Sequence, residues 1–279
     1  MVIIMSSNAK WVVALKAEAK PIIKALGLNR IDKNVVFPVY KDKNARNWLV
    51  ISGVGQKNVV AAVKYISEFS DSNGCSVWIN IGIAGSSSDR YGELFLIDKI
   101  TRASSDECFY PGSILKSNLQ KSELLTVDEP LLDYSKVDLV DMEAADFVRV
   151  TSKISGRDLV LVMKIVSDGP NNSVNDLTAT RVSHLILQNI NLVIDHVNKL
   201  ISLASLEEER FENPKGYTAV IERWHFTVSQ QHELKQLMKR WVVAYPFTNI
   251  IKKLKIMKNS REVLTFLKHD LDNYKIDWK

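Results

Sequence analysis

Three carboxylates fall within the run Leu139-Val140-Asp141-Met142-Glu143-Ala144-Ala145-Asp146, where an apolar stretch gives way to helical spacing. A further acid, Asp168, closes the apolar run Leu159–Val166 in the same way, 25 positions after Glu143. Acids at the C-terminal ends of strands are poor core material. They are good site material, because α/β sheets bind ligands at those ends. A carboxylate there is a charged, acceptor-only partner for hydroxyl groups. With its pKa raised by burial it can instead donate a proton. The spacing of these acids over one strand–helix–strand stretch predicts a single pocket lined by neighbouring strand ends.

The elements that must position them are legible around the acids. Trp11–Leu15 reads as a buried strand, followed by a helix over Glu18–Leu26 that Gly27 closes, with Pro21 in its first turn. Trp48–Ile51 is a strand that breaks at Gly53-Val54-Gly55, and Asn58–Phe69 has helical apolar spacing. Val77–Ile83 and Glu93–Ile100 are strands, the first running into Gly82-Ile83-Ala84-Gly85. Residues 101–136 predict loops with one or two short strands. From Val137 a short strand leads into a helix over Glu143–Ser155 that Gly156 ends, then the strand Leu159–Val166. Leu177 to Leu206 has the spacing of one long or two shorter helices. Apolar runs alternating with helices predict an α/β sheet covered on both faces.

With 279 residues and 46% apolar content the chain can bury a core of its own. Cys75 and Cys108 make neither a disulfide framework nor a zinc-type spacing. The five histidines show no ligand clustering, so neither metal nor cofactor is expected. The sequence predicts no secretory leader and no membrane span, hence a cytoplasmic protein without a membrane partner. The net charge of +5 is uneven: residues 210–279 hold 14 Lys/Arg against 7 Asp/Glu, so the rest of the chain is slightly acidic. That asymmetry argues against nucleic acid as a partner of the body.

The run Glu207–Gly216 reads as a boundary. The expected domains are therefore a body over 1–209 and a basic, mainly helical extension over 210–279. In the extension, Leu234, Leu237, Met238 and Trp241 form one helical stripe. A segment this short is expected to lean that stripe on the body or on a partner. Lys235, Lys239, Arg240, Lys252, Lys253, Lys255 and Lys258 would face solvent or an anionic surface.

Five stretches, in order, resemble the nucleoside phosphorylase and nucleosidase superfamily, above all the bacterial methylthioadenosine and S-adenosylhomocysteine nucleosidases. They are Ala14-Leu15-Lys16-Ala17-Glu18, Ser52-Gly53-Val54-Gly55-Gln56-Lys57-Asn58, Asn80-Ile81-Gly82-Ile83-Ala84-Gly85, Val140-Asp141-Met142-Glu143-Ala144-Ala145 and Ile165-Val166-Ser167-Asp168. The resemblance covers roughly 11–200. It departs from the family at Ile83, where Ser or Thr is common, at Ser86 in place of a glycine, and in a shorter segment between Gly112 and Val137.

The resemblance implies a three-layer α/β/α fold with a central, mostly parallel mixed sheet, and a homodimer acting on a small nucleoside with water. It implies hydrolysis of the N-glycosidic bond of a 5′-modified adenosine, with Asp168, Glu18 and Glu143 catalytic. Asp168 would protonate the leaving base, Glu18 would hold the attacking water, and Glu143 would bind the ribose hydroxyls. Met142, Ser167, Gly53, Gly82, Ala84 and Gly85 would contact substrate. Each acid also has a plainer reading: Glu143 as a helix cap, Asp168 as a turn or cap residue, and Glu18 as a solvated surface group between Lys16 and Lys20. Phosphorolysis and binding without catalysis are the alternative functions. The first loop, Lys16-Ala17-Glu18-Ala19-Lys20, lacks the arginine of phosphorolytic relatives, and Arg90 is the residue that could replace it.

Overall fold

Residues 7–31, 36–70, 75–112, 115–130 and 138–274 are described by a computed structural model of the chain. Val137, where the sequence starts the Asp141 strand, and residues 113–114 and 131–136 of the predicted loop region lie outside the described residues. The chain divides into two compact units, Met1–Glu209 and Arg210–Lys279.

The first unit is a three-layer α/β/α body. In chain order its elements are β1 (Ala9–Val13), α1 (Lys16–Leu26), β2 (Asn29–Arg30), β3 (Val39–Lys41), β4 (Asn47–Ile51), α2 (Gln56–Phe69), β5 (Val77–Ser86) and β6 (Leu94–Arg102). There follow β7 (Cys108–Phe109), β8 (Gln120–Thr126), β9 (Leu139–Asp141), α3 (Ala144–Thr151), β10 (Val160–Asp168) and α4 (Ala179–Phe211). Strand side chains alternate between two cores. Trp11, Val13, Ile79, Ile81, Leu161, Met163 and Ile165 pack with α1 and α4 on one face. Val12, Trp78, Val160, Val162 and Val166 pack with α2 and α3 on the other.

The sheet is not open. β5 pairs with β1 and β10 in parallel, and β1 leads on through β4 and β3 to β2. The other arm runs β10–β6–β8–β9 and returns to β5, closing a ring of five strands. β9 and β10 are therefore not neighbours, contrary to the neighbouring strand ends that the sequence predicts. They flank opposite edges of β5, with Val140 paired to Gly85 on one side and Asp168 paired to Gly85 on the other. β9 also runs antiparallel to β5, so β9–α3–β10 is not a parallel crossover. The predicted loop region contains β8, seven residues long and placed inside the ring between β6 and β9.

Boundaries moved where side chains took over from pattern. α1 begins at Lys16, not Glu18, because the Glu18 carboxylate turns back to accept from the Leu15 N–H at 2.8 Å. Pro21 consequently sits inside the helix rather than in its first turn. Gly27 ends α1 at φ 61°, a left-handed conformation that glycine adopts without strain. The long apolar run after Asp176 is a single 33-residue helix, α4.

The second unit contains α5 (Tyr217–Arg223), α6 (Val228–Ala244), α7 (Ile250–Leu254) and α8 (Ser260–Asp272). Thr227 and Gln230 cap α6 reciprocally, and Asn259 caps α8. The stripe Leu234, Leu237, Met238 and Trp241 is buried in this unit's own core, against Trp224, Phe226, Val263 and Leu267. That corrects the expectation that it must lean elsewhere. Two more short helices and α8 supply the opposing apolar face, which periodicity within α6 cannot reveal. Trp241 is fully buried and its Nε1 donates to Asp270 at 2.7 Å. Trp241→Ala should destabilise the second unit by about 3–5 kcal/mol. Urea unfolding of the full chain is expected to show an earlier transition for this unit, with a midpoint independent of protein concentration.

Candidate active site

The C-terminal ends of β1, β5, β9 and β10 surround a cavity of about 650 Å³ in the body. That volume lies within the roughly 300–1,000 Å³ usual for small-molecule sites. Glu18, Asp141, Met142, Glu143, Ser167, Asp168, Ala84 and Gly85 all line it. Gly53 and Gly82 do not; Val54 and Ile83 line it in their place.

Each acid has a distinct mount. Glu18 is 2% exposed, so it is not a solvated surface group. Its Oε2 accepts from the Leu15 N–H and its Oε1 from the Ile83 N–H, at 2.8 and 3.0 Å. Burial raises its pKa, against the lowering effect of those N–H groups and of Lys164. Glu143 precedes α3, yet its carboxylate makes no cap. The cap comes from Asp141, which accepts from the Ala144 N–H at 2.9 Å, and from Thr126, whose hydroxyl accepts from the Ala145 N–H at 3.1 Å. Glu143 is thereby released, and its Oε1 accepts from the Gly55 N–H at 2.7 Å. Burial and the neighbouring Asp141 push its pKa up to about 7. Asp168 stands just past a bulge in the β5–β10 ladder, and the Ser167 hydroxyl donates to its Oδ1 at 2.5 Å. Such bulges re-aim side chains at site edges.

Asp146 separates from the others. Although buried, it is held by Arg102 and by Arg149, whose Nη2 lies 2.6 Å from Oδ1, and it does not line the cavity. Arg102 also donates to Gln56, which reaches Asp128, so this acid ties α3 to β6 and α2.

The residue that sequence reasoning missed is Lys164. It interrupts the apolar strand β10, 1% exposed, with its Nζ 2.8 Å from Asp141 Oδ2. Burial alone would lower its pKa, but Asp141, Glu143 and Glu18 together raise it, so it stays charged. Lys164 pairs across the ladder with Gly82. A Cβ at Gly82 would lie 2.8 Å from Glu18 Oε1 and 3.6 Å from Lys164 Nζ. The missing side chain leaves room for the Glu18 carboxylate and the Lys164 ammonium. The available signal was a lysine inside an otherwise continuous buried run.

No protein-family model matches the chain, and no curated protein matches it by sequence. Solved structures do. The 5′-methylthioadenosine/S-adenosylhomocysteine nucleosidase of Helicobacter pylori superposes with a TM-score of 0.56 at 13% identity, covering 69% of this chain and 98% of that one. The futalosine hydrolase of the same bacterium gives 0.55 at 14% identity over 68% and 99%. The 5′-methylthioadenosine nucleosidase of Arabidopsis thaliana gives 0.54 at 20% identity over 69% and 96%. The chain has the nucleosidase fold. On that fold the cavity described above lies where the five resembling stretches converge. Among the described residues no helix is long and apolar enough to cross a membrane.

Two outcomes follow from the geometry. Lys164→Met leaves Asp141 buried without its cation and should cost about 3–5 kcal/mol in urea unfolding. The double variant with Asp141→Asn should recover part of that loss, giving a coupling energy for the pair. Glu143 has an ordinary pKa of 4.5, raised in the native state to about 7. Between those values the native chain keeps a proton that the unfolded chain has lost. Its contribution therefore makes stability fall as pH rises through that window and level off above it. Glu143→Gln should flatten this part of the stability profile, measured by urea unfolding at a series of pH values.

Proposed function

We propose that this protein is a purine nucleoside N-glycosidase that hydrolyses a 5′-modified adenosine, of the methylthioadenosine or S-adenosylhomocysteine type, to release adenine. The observation that carries the reading is the meeting of Glu18, Glu143 and Asp168 on one cavity, each buried and each held in a different way. The resemblance of the five stretches and the shared fold support it.

In this mechanism Asp168, steadied by the Ser167 hydroxyl, gives a proton to N7 of the base. The C1′–N9 bond breaks with its electron pair passing to the base, leaving positive charge on the sugar. Glu143 accepts hydrogen bonds from the ribose hydroxyls and supports that charge. Water adds to C1′ and gives its proton to Glu18, whose raised pKa favours acceptance. Ala84 and Gly85 form the wall beside the base, and Met142 flanks the sugar.

Water is favoured over phosphate by the charge around the site. Four carboxylates and one lysine, Lys16, line the cavity among the described residues. A phosphate dianion at C1′ would meet Glu18 rather than an arginine. Arg90 is engaged elsewhere: it donates to Ser88 Oγ at 2.9 Å, pairs with Asp138 and stacks on Phe95. Adenine release from methylthioadenosine should proceed without added phosphate and yield the free sugar rather than its 1-phosphate. Asp168→Asn should lower turnover by about 10²–10⁴-fold with the fold retained. Wild-type turnover in that variant, or an absolute need for phosphate, would refute the mechanism.

A further inference from the structure

We infer that the second unit docks on an anionic phospholipid bilayer, through the surface built by the end of α6, the turn after it and α7. The inference is independent of the nucleosidase reading. Residues 235–258 hold seven Lys and Arg and no Asp or Glu, half of the 14 Lys and Arg of 210–279. The unit's acids are engaged outside that stretch. Glu233 pairs with Lys268 at 2.5 Å, Asp270 accepts from Trp241, and Glu262 is tied to the backbone before α8 by accepting from the Lys258 N–H at 2.8 Å. Arg240, Lys252, Lys253, Lys255 and Lys258 are exposed and make no ion pair among the described residues. Lys253 Nζ stands 5.4 Å over the Tyr245 ring, which ties α7 to the end of α6.

Large apolar side chains share this surface. Phe247 is fully exposed, and Val243 and Ile256 are 81% and 80% exposed. Val243 follows Lys239 on α6 by four positions, and Ile256 follows Lys252 by the same spacing. The unit's core closes on Trp241, Leu254 and Leu267 without them. Apolar groups held in water among cations mark an interaction surface. A second copy would set the same cations against themselves. A nucleic acid would answer the charge alone: single strands stack their bases on exposed rings, whereas Trp224, Phe226 and Trp241 are buried, and the aliphatic Val243 and Ile256 give a base nothing to stack on. An anionic bilayer answers both features. Its headgroups take the cations, and the boundary with the acyl chains takes Phe247, Val243 and Ile256. Attachment of this kind needs no spanning helix.

Co-sedimentation of the full chain with vesicles tests this, using phosphatidylcholine alone and phosphatidylcholine mixed with phosphatidylglycerol. The chain should bind the mixed vesicles and not the neutral ones, with affinity falling as salt rises. Lys252→Glu/Lys255→Glu should weaken binding by at least about 25-fold, from about fivefold for each cation near an anionic bilayer. Phe247→Ser/Ile256→Ser keeps every charge and should weaken it by about tenfold, while Phe247→Leu retains it. Each altered side chain is exposed, so urea unfolding of the variants should match that of the wild type. Failure to bind the mixed vesicles would overturn the inference. Undiminished binding by Phe247→Ser/Ile256→Ser would overturn it too, by reducing the surface to adhesion through charge alone. Release from the mixed vesicles by a duplex or single-stranded oligonucleotide at equal charge would assign the surface to nucleic acid instead.

Discussion

The ion pair between Lys164 and Asp141 is the constraint around which the body is arranged. A lysine inside a closed ring of strands has no route to water, so its charge must be answered locally. Asp141 answers it from the end of β9, across the width of β5. Asp141 in turn is satisfied by the Thr126 hydroxyl at 2.7 Å and the Ala144 N–H. One carboxylate thus joins β8, β9, β10 and the start of α3. Gly82, opposite Lys164, contributes no side chain and so leaves room for the lysine's ammonium and for the Glu18 carboxylate. Removing either charge leaves the other buried, which is why the pair reads as indispensable even though buried pairs are not in general sources of stability.

The same pair sets the division of labour among the acids. The three carboxylates of 141–146 and Glu18 of α1 would repel one another if all pointed inward. The fold sorts them. Asp146 is drawn outward by Arg102 and Arg149 and becomes a clamp between α3 and β6. Asp141 neutralises Lys164 and caps α3. Glu143, relieved of capping, turns to the Gly55 N–H and the cavity. Glu18 reaches the same space from α1 and is held by two backbone N–H groups. Neighbours in sequence therefore have unrelated roles, decided by which cation or amide each can reach.

Much of this was legible in the sequence, for physical reasons that also explain what was not. Strands and helices of the body follow from apolar periodicity, and the glycine turns mark their ends. Asp168 and Glu143 stand out because acids rarely end buried strands without cause. Ring closure is different. β8, with Ser122 and Glu123 among its residues, has too mixed a pattern to read as an interior strand, and whether β9 flanks β5 or β10 depends on pairings far apart in the chain. Lys164 was visible as an anomaly, but its meaning needed Gly82 and Asp141, 82 and 23 positions away. The extension's stripe was read correctly as buried. Its partners were not, because they lie on α8 and on the segment before α6.

Under the nucleosidase reading, the cost of this arrangement and its use are the same thing. Glu18 and Glu143 both have raised pKa values, from burial first and, for Glu143, from Asp141 next. Both carboxylates sit where burial disfavours their negative charge. Cleavage of an N-glycosidic bond creates positive charge on the sugar, between the carboxylates that lack it. That positive charge compensates the desolvated carboxylates most where it is largest, at the transition state rather than in the bound substrate. Interactions that strengthen only there are the ones that accelerate a reaction. A second buried cation beside the carboxylates would answer their charge in advance and remove that difference. Lys164, paired with Asp141, leaves it in place.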